Sequence, residues 1–159
     1  MRPRVYIETT IPSCLTCRPS ADPIRRGHEL ETHDWWDTRR GDFELVISEY
    51  VLDECRRGDP ERAADRLALL AGVQQINTTP AGVRLAADLI RAMQLPPQAV
   101  VDATHVALAA VHAVECLLTW NCTHLANPAL WGRITATCVA AGFRPPLIYT
   151  PTQLLRVTR

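Results

Sequence analysis

Three carboxylates in this chain stand where apolar runs end or helices begin. Glu8 closes the run VYIE (5–8), Glu54 lies in SEYVLDECRRG, and Asp102 falls in the first turn of QAVVDATHVALAAVHAVE. A carboxylate taken out of water must meet an arginine, backbone donors, a metal ion or solvent, because an unpaired buried charge is costly. A fourth polar residue, Asn121, follows the strand-like CLLTW (116–120), with His124 and Asn127 at three-residue intervals. Three hard oxygen anions and an amide oxygen, if brought together, suit Mg²⁺ or Mn²⁺, which prefer carboxylates and water over sulfur and imidazole. Such an ion lowers the pKa of a bound water, orients a phosphate and offsets charge that develops in an in-line displacement.

Each position also has a plainer reading. Glu8 can sit at a frayed strand end in water. Asp102 can serve its own helix N-terminus, where negative charge is favourable. Glu54 and Asp53 can be two solvated acids; Asp53 and Arg57 are four apart and match an exposed ion pair, whereas Glu54 shares a face with Tyr50 and Val51. Asn121 can be a turn residue ahead of Asn127-Pro128. His105, three residues after Asp102 on the same helix face, fits a general base, a hydrogen-bonding neighbour of the site or a packed histidine. His124 is placed to touch a phosphate or a water on the ion.

The elements that must carry these residues alternate. VYIE (5–8), ELVIS (44–48), VQQIN (73–77), CLLTW (116–120) and PLIYT read as strands. Between them, TIPSCLT reads as a short helix. Asp22-Pro23, Ser48, Asp59-Pro60, Thr79-Pro80 and Asn127-Pro128 each open a helix, and Gly58, Gly72 and Gly142 end three of them. Ala63, Ala64, Leu67, Leu70 and Ala71 are expected to form the buried stripe of one helix, and Val83, Ala86, Ile90 and Met93 that of the next. The helix holding Asp102 is apolar nearly all round and is expected to be deeply packed. Strands separated by helices predict a parallel sheet covered on both faces, with sites at the carboxyl ends of its strands.

The totals fit one domain over 1–159: 47% apolar and 21% charged residues describe a globule, not a disordered chain. No run approaches the ~20 apolar residues of a membrane span. The stretch MRPRVYIETT lacks the apolar core of a secretory signal, so a cytoplasmic protein with reduced thiols is expected. Cys14 and Cys17 form a lone CxxC without a second pair to complete a zinc site. All 17 basic side chains are arginine, whose planar fork suits phosphate, yet the net charge is zero. Residues 1–66 hold 14 acids against 11 arginines, and residues 67–159 hold 3 against 6, so each acid of the second part is conspicuous.

Over roughly residues 4–155 the chain resembles the PIN-domain ribonucleases, in particular the VapC-type toxins of bacterial toxin–antitoxin pairs. The resemblance rests on VYIETT, SEYVLDE, VDATHVALAA and LLTWNCTHLAN, the last two being the most specific because of their order and spacing. It implies a three-layer α/β/α sandwich around a central, mostly parallel sheet. It also implies an acidic site that binds Mg²⁺ or Mn²⁺ and cuts single-stranded RNA, a cognate antitoxin as partner, and a homodimer. Position by position, the family's first acid falls on Glu8, the second on Glu54, the third on Asp102 and the fourth on Asn121. Thr9 or Thr10 matches the hydroxyl residue after the first acid. Two positions depart from the pattern: Glu8 is longer than the usual aspartate, and Asn121 is neutral. The expected activity is a metal-dependent endoribonuclease. The alternative is a PIN-fold module with a weakened site that holds RNA or a protein without cutting. Arg56 and Arg57 are candidates for holding the RNA backbone, and equally for an exposed solvated face.

Overall fold

The computed structural model describes residues 1–157. The five apolar runs form strands β1 (Arg4–Ile7), β2 (Glu44–Ser48), β3 (Gln74–Ile76), β4 (Cys116–Leu118) and β5 (Leu147–Tyr149). They pair in the order β3-β2-β1-β4-β5, every pair parallel. Central β1 carries Val5, Tyr6 and Ile7, all fully buried, as are Leu117 and Leu118 of β4 beside it. Strands buried on both faces read as continuous apolar runs, and for that reason their positions were legible in the sequence.

Eight α-helices lie among the described residues: α1 (Thr10–Thr16), α2 (Pro23–Thr38), α3 (Glu49–Cys55), α4 (Pro60–Leu69), α5 (Pro80–Met93), α6 (Val100–Val111), α7 (Pro128–Ala140) and α8 (Pro151–Arg156). Five of them begin alike, with a side-chain cap followed by proline: Asp22, Asp59, Thr79, Asn127 and Thr150 each accept a backbone N–H of the first turn. Such a cap is worth ~1 kcal/mol, and proline there loses no hydrogen bond. Helices α1, α2, α4 and α8 pack among themselves, as do α5, α6 and α7, so the sheet becomes the middle layer of an α/β/α sandwich. Helices α5 and α6 approach closely at Gly82, where a Cβ would stand 2.9 Å from Leu108 Cδ2.

Several local expectations need correction. Ser48 precedes α3, but its hydroxyl does not cap the helix; it meets the Tyr6 hydroxyl at 2.6 Å. Ala64 and Ala71 of the α4 stripe are exposed, as is Val83 of the α5 stripe, and Leu85 and Leu89 take the buried positions on α5. Both errors come from tracing a helical stripe without knowing which side the sheet occupies. Asp53 pairs with Arg56, three residues on, at 2.5 Å, not with Arg57. Helix α8 was not anticipated, although Thr150 and Gln153 form a reciprocal capping box. No helix among the described residues is long and apolar enough to cross a membrane.

Candidate functional site

The strand order places the site. From β1 the chain moves to β2 and β3 on one side, and β4 and β5 lie on the other. Connections therefore leave β1 and β4 in opposite directions, opening a crevice at their carboxyl ends. Glu8 follows β1 there and Thr119 follows β4. The pairing of Ile7 with Leu118 sets these two residues side by side.

Glu8 is only 4% exposed. Its Oε2 accepts from the Thr10 amide (3.1 Å), the Thr10 hydroxyl (2.5 Å) and the Thr119 hydroxyl (2.7 Å). Its Oε1 makes no hydrogen bond among the described residues, and no arginine pairs with it. Burial pushes its pKa up, against the pull of nearby His105 and of its hydroxyl and amide donors. A half-satisfied carboxylate in such a place is best matched by a cation.

Glu54, on α3, faces it. Burial works to raise its pKa, but donation and charge from His105, the Thr9 hydroxyl and the charge of Arg57 outweigh that and hold it down. Oε1 takes both bonds, from Thr9 Oγ1 (2.8 Å) and His105 Nε2 (2.7 Å), leaving Oε2 open. His105 is fully buried, and its Nδ1 meets the Tyr6 hydroxyl at 2.7 Å. An ionised carboxylate cannot donate, so Nε2 carries the proton towards Glu54. His105 Nδ1 shares a hydrogen bond with the Tyr6 hydroxyl, which is bonded in turn to the Ser48 hydroxyl at 2.6 Å. Burial, above all, keeps the Tyr6 phenol protonated by raising its pKa. The chain Ser48–Tyr6–His105–Glu54 is thus a satisfied buried network that fixes one carboxylate oxygen and presents the other.

Glu8, Glu54 and His105 each offer one ligand-type atom, and the three atoms lie within 4.8 Å of one another. Because both His105 nitrogens already have partners, the two carboxylates are the better ligands. The donor set fits a hard divalent cation: oxygen anions, one open oxygen on each, and a buried negative charge without a basic partner.

Asp102 stands one turn before His105 on α6 and is not one of that trio. Its Oδ2 meets His124 Nδ1 at 2.8 Å. Asn121 shapes the loop that brings His124 there: its Oδ1 accepts from the His124 amide (3.0 Å), and its own N–H donates to Thr119 Oγ1 (2.9 Å). Thr119 therefore links the Asn121 loop to Glu8. Asn121 acts as a turn residue in this geometry and reaches Glu8 only through Thr119.

A cleft of about 690 Å³ opens beside Glu8 and Glu54. Thr9, Thr10, Arg18, Arg25, His28 and Trp120 are among its walls; Asp102, Asn121 and His124 are not. Cys14 and Cys17 also reach it, as free thiols whose pKa values burial pushes up, that of Cys17 to about 11. Thiols so protonated are poor redox nucleophiles. Arg56 is tied to Asp53 and is not part of the cleft wall.

No protein-family model and no curated protein sequence matches the chain. Solved structures do. VapBC2 from Rickettsia felis, bound to a DNA fragment from its promoter, superposes with a TM-score of 0.58 at 13% identity, over 92% of this chain and 98% of that one. FitAB bound to the IR36 DNA fragment gives 0.55 at 15% identity, over 92% and 94%. VapC20 of Mycobacterium tuberculosis, a toxin that cleaves the sarcin–ricin loop, gives 0.54 at 20% identity, over 71% and 86%.

This chain has the PIN-domain fold.

Within the PIN fold, of the residues the sequence pointed to, Glu8, Glu54, His105, Thr9 and Thr10 are joined directly by hydrogen bonds or lie within the acidic trio, whereas Asn121, His124 and Asp102 connect to Glu8 only through Thr119 and one another. Sequence reasoning missed Tyr6, Ser48, Thr119, His28 and Trp120. Tyr6 had a signal, since it lies two residues before Glu8 and so shares its face of the strand. Thr119 becomes visible only once β4 is set beside β1, and His28 gave no signal at all.

Proposed function

We propose that this PIN-fold chain is an endoribonuclease that cleaves single-stranded RNA with Mg²⁺ or Mn²⁺ and acts as a VapC-type toxin. One observation carries the reading: a buried glutamate at the switch point of a parallel sheet, facing a second glutamate, with an open oxygen on each and no arginine paired with the buried one. Glu8, Glu54 and Asp102 would hold the ion, and Asn121 would keep the 121–124 turn in register beside it. When bound, the ion supplies positive charge that polarises a phosphate and makes a water more acidic. Thr10 and Thr119 aim Glu8, Thr9 and His105 aim Glu54, and His124 aims Asp102. The chain is read as one domain acting in the cytoplasm; a homodimer restrained by a cognate antitoxin is carried over from the resemblance.

Incubating the protein with single-stranded RNA in Mn²⁺ or in EDTA tests this. Cleavage is expected only with the metal, and Asp102→Asn is expected to abolish it without unfolding the protein. The second reading, a binding module, is favoured by neutral Asn121 and by the engagement of Asp102 with His124. RNA binding with no cleavage in Mn²⁺ would select it.

A further inference from the structure

His28 and Trp120 stack face to face, with ring centroids 3.9 Å apart and planes 12° from parallel. Both rings line the cleft beside Glu8 and Glu54. An aromatic pair that merely filled the interior would sit where Trp35 and Trp36 sit, at 0% and 7% exposure. Trp120 is also tethered to the acids. Its backbone N–H donates to Thr10 Oγ1 (2.8 Å), and that hydroxyl donates to Glu8 Oε2. Its indole Nε1 donates to Thr32 Oγ1 (2.8 Å), one turn along α2 from His28. The ring is held at both ends, so little conformational freedom remains to be lost when a flat partner joins it.

Arg18 and Arg25 enter the same cleft from the α1–α2 loop and the first turns of α2. Both are exposed and have no hydrogen-bond or ion-pair partner among the described residues. Their neighbour Arg26, by contrast, is bound to Glu29 at 3.0 Å. A preformed aromatic face, two uncommitted arginines and an acidic pair share one wall. Stacking surfaces beside basic groups are how proteins hold single-stranded nucleic acid, since every base has a flat face and every link a phosphate.

We propose that the His28–Trp120 stack is a nucleobase platform: an unpaired base next to the scissile phosphate extends the stack, while Arg18 and Arg25 hold flanking phosphates. This rests on the ribonuclease reading and names which part of the RNA the site grips. The preference is for an unpaired base, because a base within a duplex has both faces covered. It is tolerant of base identity, because neither ring reads a base edge.

The test is equilibrium binding of a fluorescent single-stranded RNA to the protein in EDTA, where turnover is suppressed. The same strand is compared with versions carrying one abasic position, scanned along its length. One abasic position should weaken binding on the order of tenfold. His28→Ala should weaken binding of the intact strand by a similar factor and leave that abasic strand unaffected, whereas His28→Phe, which keeps a flat ring, should retain binding. Arg18→Ala and Arg25→Ala should each reduce the slope of log affinity against log salt by about 0.7, equally for both strands. An effect of His28→Ala that is absent, or equal on intact and abasic strands, overturns the platform. Mn²⁺-dependent cleavage alongside that result would leave the ribonuclease reading intact. Base-dependent binding without cleavage would keep the platform and remove the nuclease.

Discussion

Replacing Glu8 by glutamine isolates the charge of the most buried acid from its shape. The substituted amide can place its oxygen where Oε2 lies and keep the three bonds from Thr10 and Thr119. Those bonds lose their ionic character, a loss of roughly 1 kcal/mol each and ~3 kcal/mol in all. Against this, the effective penalty for burying one carboxylate is several kcal/mol. The upward pKa of Glu8 decides the sign, since it means that burial outweighs the donors in the metal-free protein. Glu8→Gln should therefore stabilise the protein in EDTA by about 1 kcal/mol, or ~2–4 °C in melting temperature for a chain of this size. Metal reverses the order. At about 100 times Kd, Mn²⁺ should stabilise the wild type by ~2.7 kcal/mol, roughly 5–11 °C, because it binds only the folded state. The glutamine variant should lose most of that gain. Calorimetric scans of both proteins with EDTA and with Mn²⁺ give all four values. An equal response of the two proteins to Mn²⁺ would refute the assignment of Glu8 as a ligand. A variant several degrees less stable in EDTA would refute the claim that its charge is a burden there.

Three further outcomes follow from the same geometry. Glu8 binds its proton more tightly folded than unfolded, so its contribution is complete below its ordinary value of 4.5 and is lost as pH rises through the raised folded value. Glu54, held below 4.5, contributes above that value and is lost as pH falls. In EDTA the advantage of Glu8→Gln over wild type should thus widen as pH rises above 4.5, and a melting-temperature difference that is flat with pH would contradict it. Asn121→Ala removes the acceptor of the His124 amide and should cost ~1 kcal/mol while freeing His124 from Asp102. Asn121→Asp keeps that acceptor, adds a charge beside the site and should tighten Mn²⁺ binding about tenfold, ~1.4 kcal/mol, by titration calorimetry. Unchanged affinity would make residue 121 a turn residue and nothing more.

The elements of this protein were legible in its sequence because their signals are local. ELVIS is β2, TIPSCLT is α1, and Asp22, Asp59, Thr79 and Asn127, each set before a proline, open the expected helices, since cap and proline act within a single turn. The unusual placement of Glu8 and Asp102 was equally local: a carboxylate inside an apolar run needs a reason wherever it ends up. Tertiary structure alone decided what that reason could be. The strand order set Thr119 against Glu8 across a sequence distance of 111 residues and His105 against Glu54 across 51. It also diverted Ser48 from capping α3 to bonding Tyr6, and it turned Asp102 towards His124 instead of into the tight trio. A side chain's propensity is fixed by its neighbours in sequence, but its partner is fixed by which strands lie side by side, and no stretch of this sequence shorter than the whole fold contains that order.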